Sequence, residues 1–578
     1  MSEEAADSIE SGRRLVRADP AGAQSLSQRL GQYLERLTWR TPLHDMRLKG
    51  RHPLRLLAVP DDPLPGDAQA GLALLDGTLA AAGEAHPIAT LDLTTPKASA
   101  AFVDHLHGFT WLRDLAETGD RARAVPAAEA LTARWLGVHA ERVRDPAWRP
   151  DVAGRRLLMW TAYAPLILSS GDLVFRSKVL NAIARTARHL DRTADKATPG
   201  VPRLAAWCGV VTAGLLLPAG EARQAFGEVG LVRALAAGIG EDGGAASRSP
   251  AALAEAIALL GVLRAVYDAR RRELPAEIAA PLTKMGAALM AVAMSDGALS
   301  SWQGGVPLPP ERVAEVLAAA QLHPRPLRQA KGWGYQRLTG GRAVLVVDAA
   351  PPPLAPVAQG GCASTLAFEY SEGPDRLVVN CGGAHVAATR LSAATARGLR
   401  STAAHSTLIV ADSNSTAIHP DGSLGRGVGE VELARQESEV ASRIEASHDG
   451  YVRRFGLLHR RQLVLTADGR ELRGEDALLP KGRARRSAAG TGRAIPFTLR
   501  FHLGPGVEAA GTADGQAAIL RTPSGAIWQF RTRAEALTIE ESIWTDGDGR
   551  MVGTQQVVVS GVAPAGGANI SWALRRAR

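Results

Sequence analysis

Residues 367–382 read AFEYSEGPDRLVVNCG, and residues 399–410 read LRSTAAHSTLIV. Each ends in a short β-branched run, Arg376–Asn380 and Ser406–Val410, bounded by turn formers. Short apolar runs between Gly, Asp and Pro read as strands. The same texture extends both ways. Arg342–Val347 (RAVLVV) lies upstream. Downstream, Leu463–Thr466 and Glu471–Arg473 flank Asp468-Gly469, the dipeptide of a tight hairpin. Phe497–Leu503, Ala517–Arg521, Ala526–Arg531, Val557–Ser560 and Asn569–Leu574 follow at short spacing. This pattern predicts an antiparallel β-sandwich over residues 326–578.

Upstream of residue 325 the period changes. Leu253, Ile257, Leu260, Leu263 and Tyr267 step by three and four, and Ser249-Pro250 before them is an N-cap followed by proline at the first helical position. Leu131, Trp135 and Val138 repeat the stripe, as do 157–168 and 179–190. Turn-rich joints separate them, among them Thr198-Pro199-Gly200 and Glu241-Asp242-Gly243-Gly244. Residues 45–325 therefore read as a helical domain, 1–44 as an N-terminal extension, and His323-Pro324-Arg325-Pro326 as a stiff joint.

Composition limits what such a chain does. At 46% hydrophobic and 22% charged residues, the 578-residue chain is globular rather than disordered. Charges interrupt every long apolar run, so no membrane span is expected, and residues 1–20 lack the apolar stretch of a signal peptide. Three cysteines without a CxxC pair argue against a disulfide framework or a paired-cysteine zinc site. Only 7 of the 67 basic residues are Lys, and the net charge is +9. Guanidinium groups grip carboxylates and sulfates, which permits an acidic polymer as ligand. The densest basic cluster, Lys481–Arg486, is short and has no interleaved aromatics, so nucleic-acid binding is not expected.

The two opening segments, followed by Ser447-His-Asp-Gly-Tyr451, Phe455-Gly456, His459-Arg460 and Gly474-Glu-Asp476, and preceded by His107–Leu115 and Glu241–Pro250, resemble in order and spacing the heparinase II/III-like family. The resemblance implies an N-terminal α/α toroid followed by the C-terminal antiparallel β-sandwich, with a cleft between them. It also implies β-elimination at a uronic acid within an acidic polysaccharide, with no organic cofactor. Such a reaction needs a group to neutralise the C5 carboxylate, a base for the C5 proton and an acid for the leaving oxygen. It suggests a cell-envelope or periplasmic location, whereas the lack of an export signal leaves the cytoplasm open. The sequence does not fix an oligomeric state.

The family's positions are only partly kept. Its toroid His or Asn falls on Ala245, with Arg248 three residues on as a candidate cation or a loop cap. Its Tyr falls near Ser300–Gln303, where there is none. Its sandwich His falls on Gly360. The metal-ligand set becomes Cys362, Asn380 and His405, able to hold Zn²⁺ or Ca²⁺ weakly because a neutral amide replaces a carboxylate. His405, Arg248 and Tyr451 are the catalytic candidates, and Tyr335 and Tyr370 are further possible bases. Arg400, His448, Trp302 and His459 are the substrate-binding candidates, with Trp333 a second stacking platform; burial is the commoner fate of Trp. Glu369 and Asp476 are the carboxylates that a hydrolytic alternative would use. The sequence thus supports two readings. One is a lyase of acidic polysaccharide with altered catalytic groups. The other is a carbohydrate-binding or envelope protein that keeps the fold without turnover.

Overall fold

The computed structural model describes residues 12–17, 42–50, 53, 55–353, 360–383, 391–481, 494–533 and 536–577. The basic cluster at 482–486 lies outside them. Helices fill the first half. Pro250–Ala269 forms with Ser249 capping the Ala252 amide and Pro250 at its first turn, and its Leu253, Ile257, Leu260, Leu263 and Tyr267 stripe is buried. This helix is long and apolar enough to cross a membrane, yet most of it lies inside the helical core. Helices Pro150–Ala162 and Val201–Leu216 pack backbone to backbone, since a Cβ on Gly154 would sit 2.1 Å from the Ala205 carbonyl oxygen.

Two helix ends carry the same device. Short β-bridges, Ile239 with Ala245 and Ala293 with Leu299, close Asp-Gly turns at Asp242-Gly243 and Asp296-Gly297. Asp242 accepts from the Gly332 and Trp333 amides at 2.9 and 2.8 Å, and Asp296 accepts from Arg376 at 2.9 and 3.2 Å. Both carboxylates thus hold the sandwich. The Asp-Gly motif read from the sequence is an interdomain clasp.

Two large antiparallel sheets make the second half. One runs in the order β1 (Gly12–Arg17), β10 (Glu430–Glu437), β11 (Ala441–His448), β12 (Leu457–Thr466), β13 (Glu471–Pro480), β20 (Ala568–Arg576), β17 (Ile527–Thr532), β16 (Ala517–Arg521) and β15 (Glu508–Gly511). The other runs β18 (Ala536–Thr545), β19 (Met551–Ala563), β14 (Ile495–Leu503), β8 (Asp375–Val379), β7 (Phe368–Glu372), β6 (Ala343–Asp348), β5 (Tyr335–Gly340) and β4 (Gln329–Ala330), with β9 (Leu408–Val410) also on β14, while β2 (Thr78–Ala81) and β3 (Glu84–Pro87) form a hairpin within the helical half. Part of the segment read as an N-terminal extension therefore belongs to the sandwich, because β10 would otherwise present an open edge.

Strand β6 shows how the halves join. All six residues are buried. Leu345 and Val347 enter the core between the sheets, while Val344 and Val346 enter the helical core. A strand buried on both faces reads as an unbroken apolar run, which is what the sequence shows at 343–347.

Candidate functional site

A cleft of about 270 Å³ opens where the toroid meets the sandwich. Its walls are Pro199, Val201 and Ile239 from the joints and helices of the toroid, Gln303 to Val306 from the loop after the second Asp-Gly turn, and Gly360 from the sandwich. Ala245 lines it too. Two positions where the resemblance expects a catalytic imidazole or amide thus face the cleft, as Ala245 and Gly360. Among the described residues, its only ionisable lining group is Glu255, whose carboxylate accepts from Arg155 Nη2 at 2.6 Å. Among the same residues, no Arg, Lys, His, Tyr or Trp lines it.

Arg248 is the first correction. Ser247 and Ser249 line the cleft, but Arg248, in a left-handed backbone conformation (φ 55°), turns away from it. Its guanidinium donates to Asp348 Oδ1 (2.7 Å), Trp333 O (2.8 Å), Pro351 O (2.9 Å) and Ala350 O (3.3 Å), and lies 4.8 Å from the Tyr335 ring centroid. Burial disfavours its charge, but Asp348 and Tyr335 outweigh burial and raise its pKa. Asp348 Oδ2 accepts from Ser364 Oγ at 2.7 Å and Gln303 Nε2 at 3.2 Å, and Gln303 Oε1 accepts from the Cys362 amide at 2.9 Å. This buried network runs from toroid to sandwich behind the cleft and holds every group in it.

The proposed metal ligands are similarly engaged. The Cys362 thiol donates to Gly360 O at 3.3 Å, and burial pushes its pKa up to about 12. Asn380 donates from Nδ2 to Glu369 (3.0 Å) and accepts from the Ser406 amide at Oδ1 (3.1 Å). His405 Nδ1 donates to Ser401 O at 2.7 Å, and burial lowers its pKa. Among the described residues no group of three His, Cys, Asp or Glu side chains is arranged to hold a metal ion. With each of these groups engaged elsewhere, the set does not fit Zn²⁺ or Ca²⁺.

The remaining candidates are buried in cores. Tyr451 is 1% exposed and its hydroxyl donates to Leu408 O at 3.0 Å. Trp302 is fully buried against Tyr335, and Trp333 packs on the same ring, so neither presents a face to a sugar. Arg400 donates to Gly361 O (2.8 Å) and Gly422 O (2.7 Å). Tyr370 donates to Gly469 O at 3.0 Å.

His448 and His459 sit between the sheets with Asp476 and Arg461. The Gly450 amide donates to His448 Nδ1 (3.1 Å), so the proton is on His448 Nε2, facing His459 Nδ1 at 3.2 Å. His459 Nε2 then donates to Asp476 Oδ1 at 2.7 Å. Burial opposes the Asp476 charge, but Arg461 and His459 outweigh it and hold the carboxyl below its usual range. Burial lowers both histidines. Every hydrogen in this chain has an acceptor, as a buried polar network requires. It ties strands together and does not reach the cleft lining.

Sequence reasoning missed Asp348, Gln303 and Ser364, the network's centre. A signal was present for Asp348: a carboxylate ending a wholly apolar strand needs a cation or several donors. From the sequence, Glu369 is a candidate only for the hydrolytic alternative. It is 1% exposed and accepts from Asn380 and from the Ser301 amide of the toroid (3.3 Å), and burial raises its pKa to about 7 against the pull of Arg376.

A helical half joined in this way to a two-sheet sandwich is the architecture of heparin-type polysaccharide lyases. The structure superposes on heparinase III with a TM-score of 0.65 at 15% identity, covering 83% of this chain and 78% of that one. It superposes on the heparan sulfate lyase HepC of Pedobacter heparinus with a TM-score of 0.59 at 14% identity, covering 97% and 92%. Residues 322–573 match the family model "Heparinase II/III-like, C-terminal". The chain is 31% identical to FtsZ-localized protein C of Caulobacter vibrioides (strain NA1000 / CB15N), over 98% of this chain and 96% of that protein. The chain belongs to the heparinase II/III-like family.

Proposed function

We propose that this protein is a non-cleaving member of the family, which uses the lyase fold to bind a polysaccharide rather than to break it. The observation that carries this reading is the cleft wall: Ala245 and Gly360 stand where proton-transfer or carboxylate-binding groups are expected, and the one ionisable group among the described lining residues, Glu255, is paired with Arg155. Without a base for the C5 proton and a group to neutralise the C5 carboxylate, β-elimination loses both of its main sources of rate. Among the described residues the same wall carries none of the arginines that an acidic ligand would require, so a neutral stretch of glycan suits it better than a uronate. The name of the Caulobacter relative extends the proposal to place: this protein works where FtsZ assembles.

The test is direct. Purified protein is incubated with heparan sulfate and other uronate polymers, with and without Zn²⁺ or Ca²⁺, and the ultraviolet absorbance of the 4,5-unsaturated uronate is followed. No product should form, while neutral and acidic glycans are compared for binding by affinity electrophoresis. Product that appears with wild-type protein and disappears in His405→Ala would overturn the reading in favour of a lyase. A fluorescent fusion that does not follow FtsZ would remove the second part alone.

A further inference from the structure

Strand β1 is an edge strand, held to the sandwich through β10 alone. It pairs antiparallel with β10 from Gly12 opposite Arg435 to Arg17 opposite Glu430. None of Arg13 to Arg17 is buried, and Leu15 is 48% exposed. Val16 is its one apolar anchor, lying opposite the buried Val431 and packing against the sandwich core. On the outer face Arg17 Nε donates to Glu430 at 3.0 Å, and Arg13 pairs with Glu432 at 3.4 Å; all four side chains are 45% exposed or more. Exposed ion pairs of this kind hold weakly and are screened by salt. The strand comes from outside the sandwich sequence, with residues 18–41 and the whole toroid between it and its partner.

We propose that the outer edge of β10 is a strand-addition site, which residues 12–17 occupy in the free chain and surrender to an extended partner segment of the same pattern. An exposed β edge takes another strand through its unpaired amides and carbonyls, while alternate side chains give specificity. Here the specificity is legible. Glu430 and Glu432 lie two residues apart on the outer face and take basic side chains four residues apart, as Arg13 and Arg17 are. The inner face takes one small apolar residue, as at Val16. Asp449, which accepts from the Gly429 and Glu430 amides at 2.8 and 3.1 Å, adds a third carboxylate at the end of β10. The partner is therefore an extended basic peptide with an apolar residue just before its last Arg. The chain's own strand is a built-in competitor.

The experiment uses the full chain carrying Val16→Asp and Arg17→Glu, which removes the anchor and repels Glu430. A fluorescent peptide of residues 10–19 is titrated by anisotropy. It should bind the double variant at least tenfold more tightly than wild type, weaken as salt rises, and lose binding when Glu430→Lys and Glu432→Lys are added. A scrambled peptide that binds equally well, or wild type that binds as tightly as the variant, would overturn the proposal. Hydrogen exchange on the unmodified protein gives an independent reading. Amides of 12–17 and their partners in β10 should exchange together, at least tenfold faster than those of β12; protection equal to β12 would mean that β1 does not leave.

Discussion

Arg248 shows how a residue's chemistry is decided by where its side chain turns. The sequence places a guanidinium beside an Asp-Gly loop at the mouth of a helix, which suits either charge neutralisation or capping. One left-handed backbone step sends it instead into the seam, where it meets Asp348 and three carbonyls. Sequence spacing cannot show that step. Removing one partner of a buried pair strands the other, at a cost of about 3–5 kcal/mol. Arg248→Ala should lower the urea midpoint accordingly, and Arg248→Lys should recover part of the loss. An unchanged midpoint for Arg248→Ala would mean that the seam is held elsewhere.

Glu369 carries a second residue-scale prediction. Its folded pKa, about 7, lies above the ordinary value of 4.5. Between those values the folded state keeps a proton that the unfolded chain has released. Stability from this group is therefore full below pH 4.5, falls as pH rises towards 7, and is flat above. The difference corresponds to about 3 kcal/mol at most. Unfolding free energies of wild type and Glu369→Gln, measured from pH 4 to 8, should differ by a pH-dependent amount of this sign. The buried histidines titrate in both proteins and cancel in the comparison.

At the scale of elements, periodicity served well. The stripe in Pro250–Ala269, the Asp468-Gly469 hairpin and the apolar run 343–347 of β6 are all legible, because burial on one face or two imposes a period on the residues. The cleft was less legible. Its wall at Gly304, Gly305 and Gly360 rests on close backbone approaches, with Gly383 packed against Gly305 from outside the lining, and these carry no pattern. A Cβ on Gly304, at φ +75°, would fall 2.5 Å from the Gly360 carbonyl oxygen, and one on Gly383 2.4 Å from the Gly305 backbone. Gly304→Ala should therefore cost about 1–3 kcal/mol through strain and forced separation. Gly553→Ala on an open strand face should be near neutral. Melting temperatures compare the two, and equal values would show that the seam gives way freely. The candidate residues fared unevenly for the same reason: motif order located the seam, but Trp302, Tyr451, His448 and His459 lie in cores on either side of it.

For the molecule as a whole, the paired Asp-Gly turns at 242–243 and 296–297 divide the toroid's loops into two populations. Loops on one rim are committed to the sandwich through Asp242 and Asp296. The helix connections at Gly171-Asp172 and Arg271-Arg272-Glu273 are exposed, and no described contact ties them to the sheets. A chain organised this way can lengthen on one side only. A short Gly-Ser epitope inserted after Gly171 or Arg272 should leave expression and the melting curve intact, whereas the same insertion after Gly243 or Gly297 should yield insoluble protein. The toroid then has a conservative rim and a permissive one, and new domains in related chains would be expected to enter through the latter.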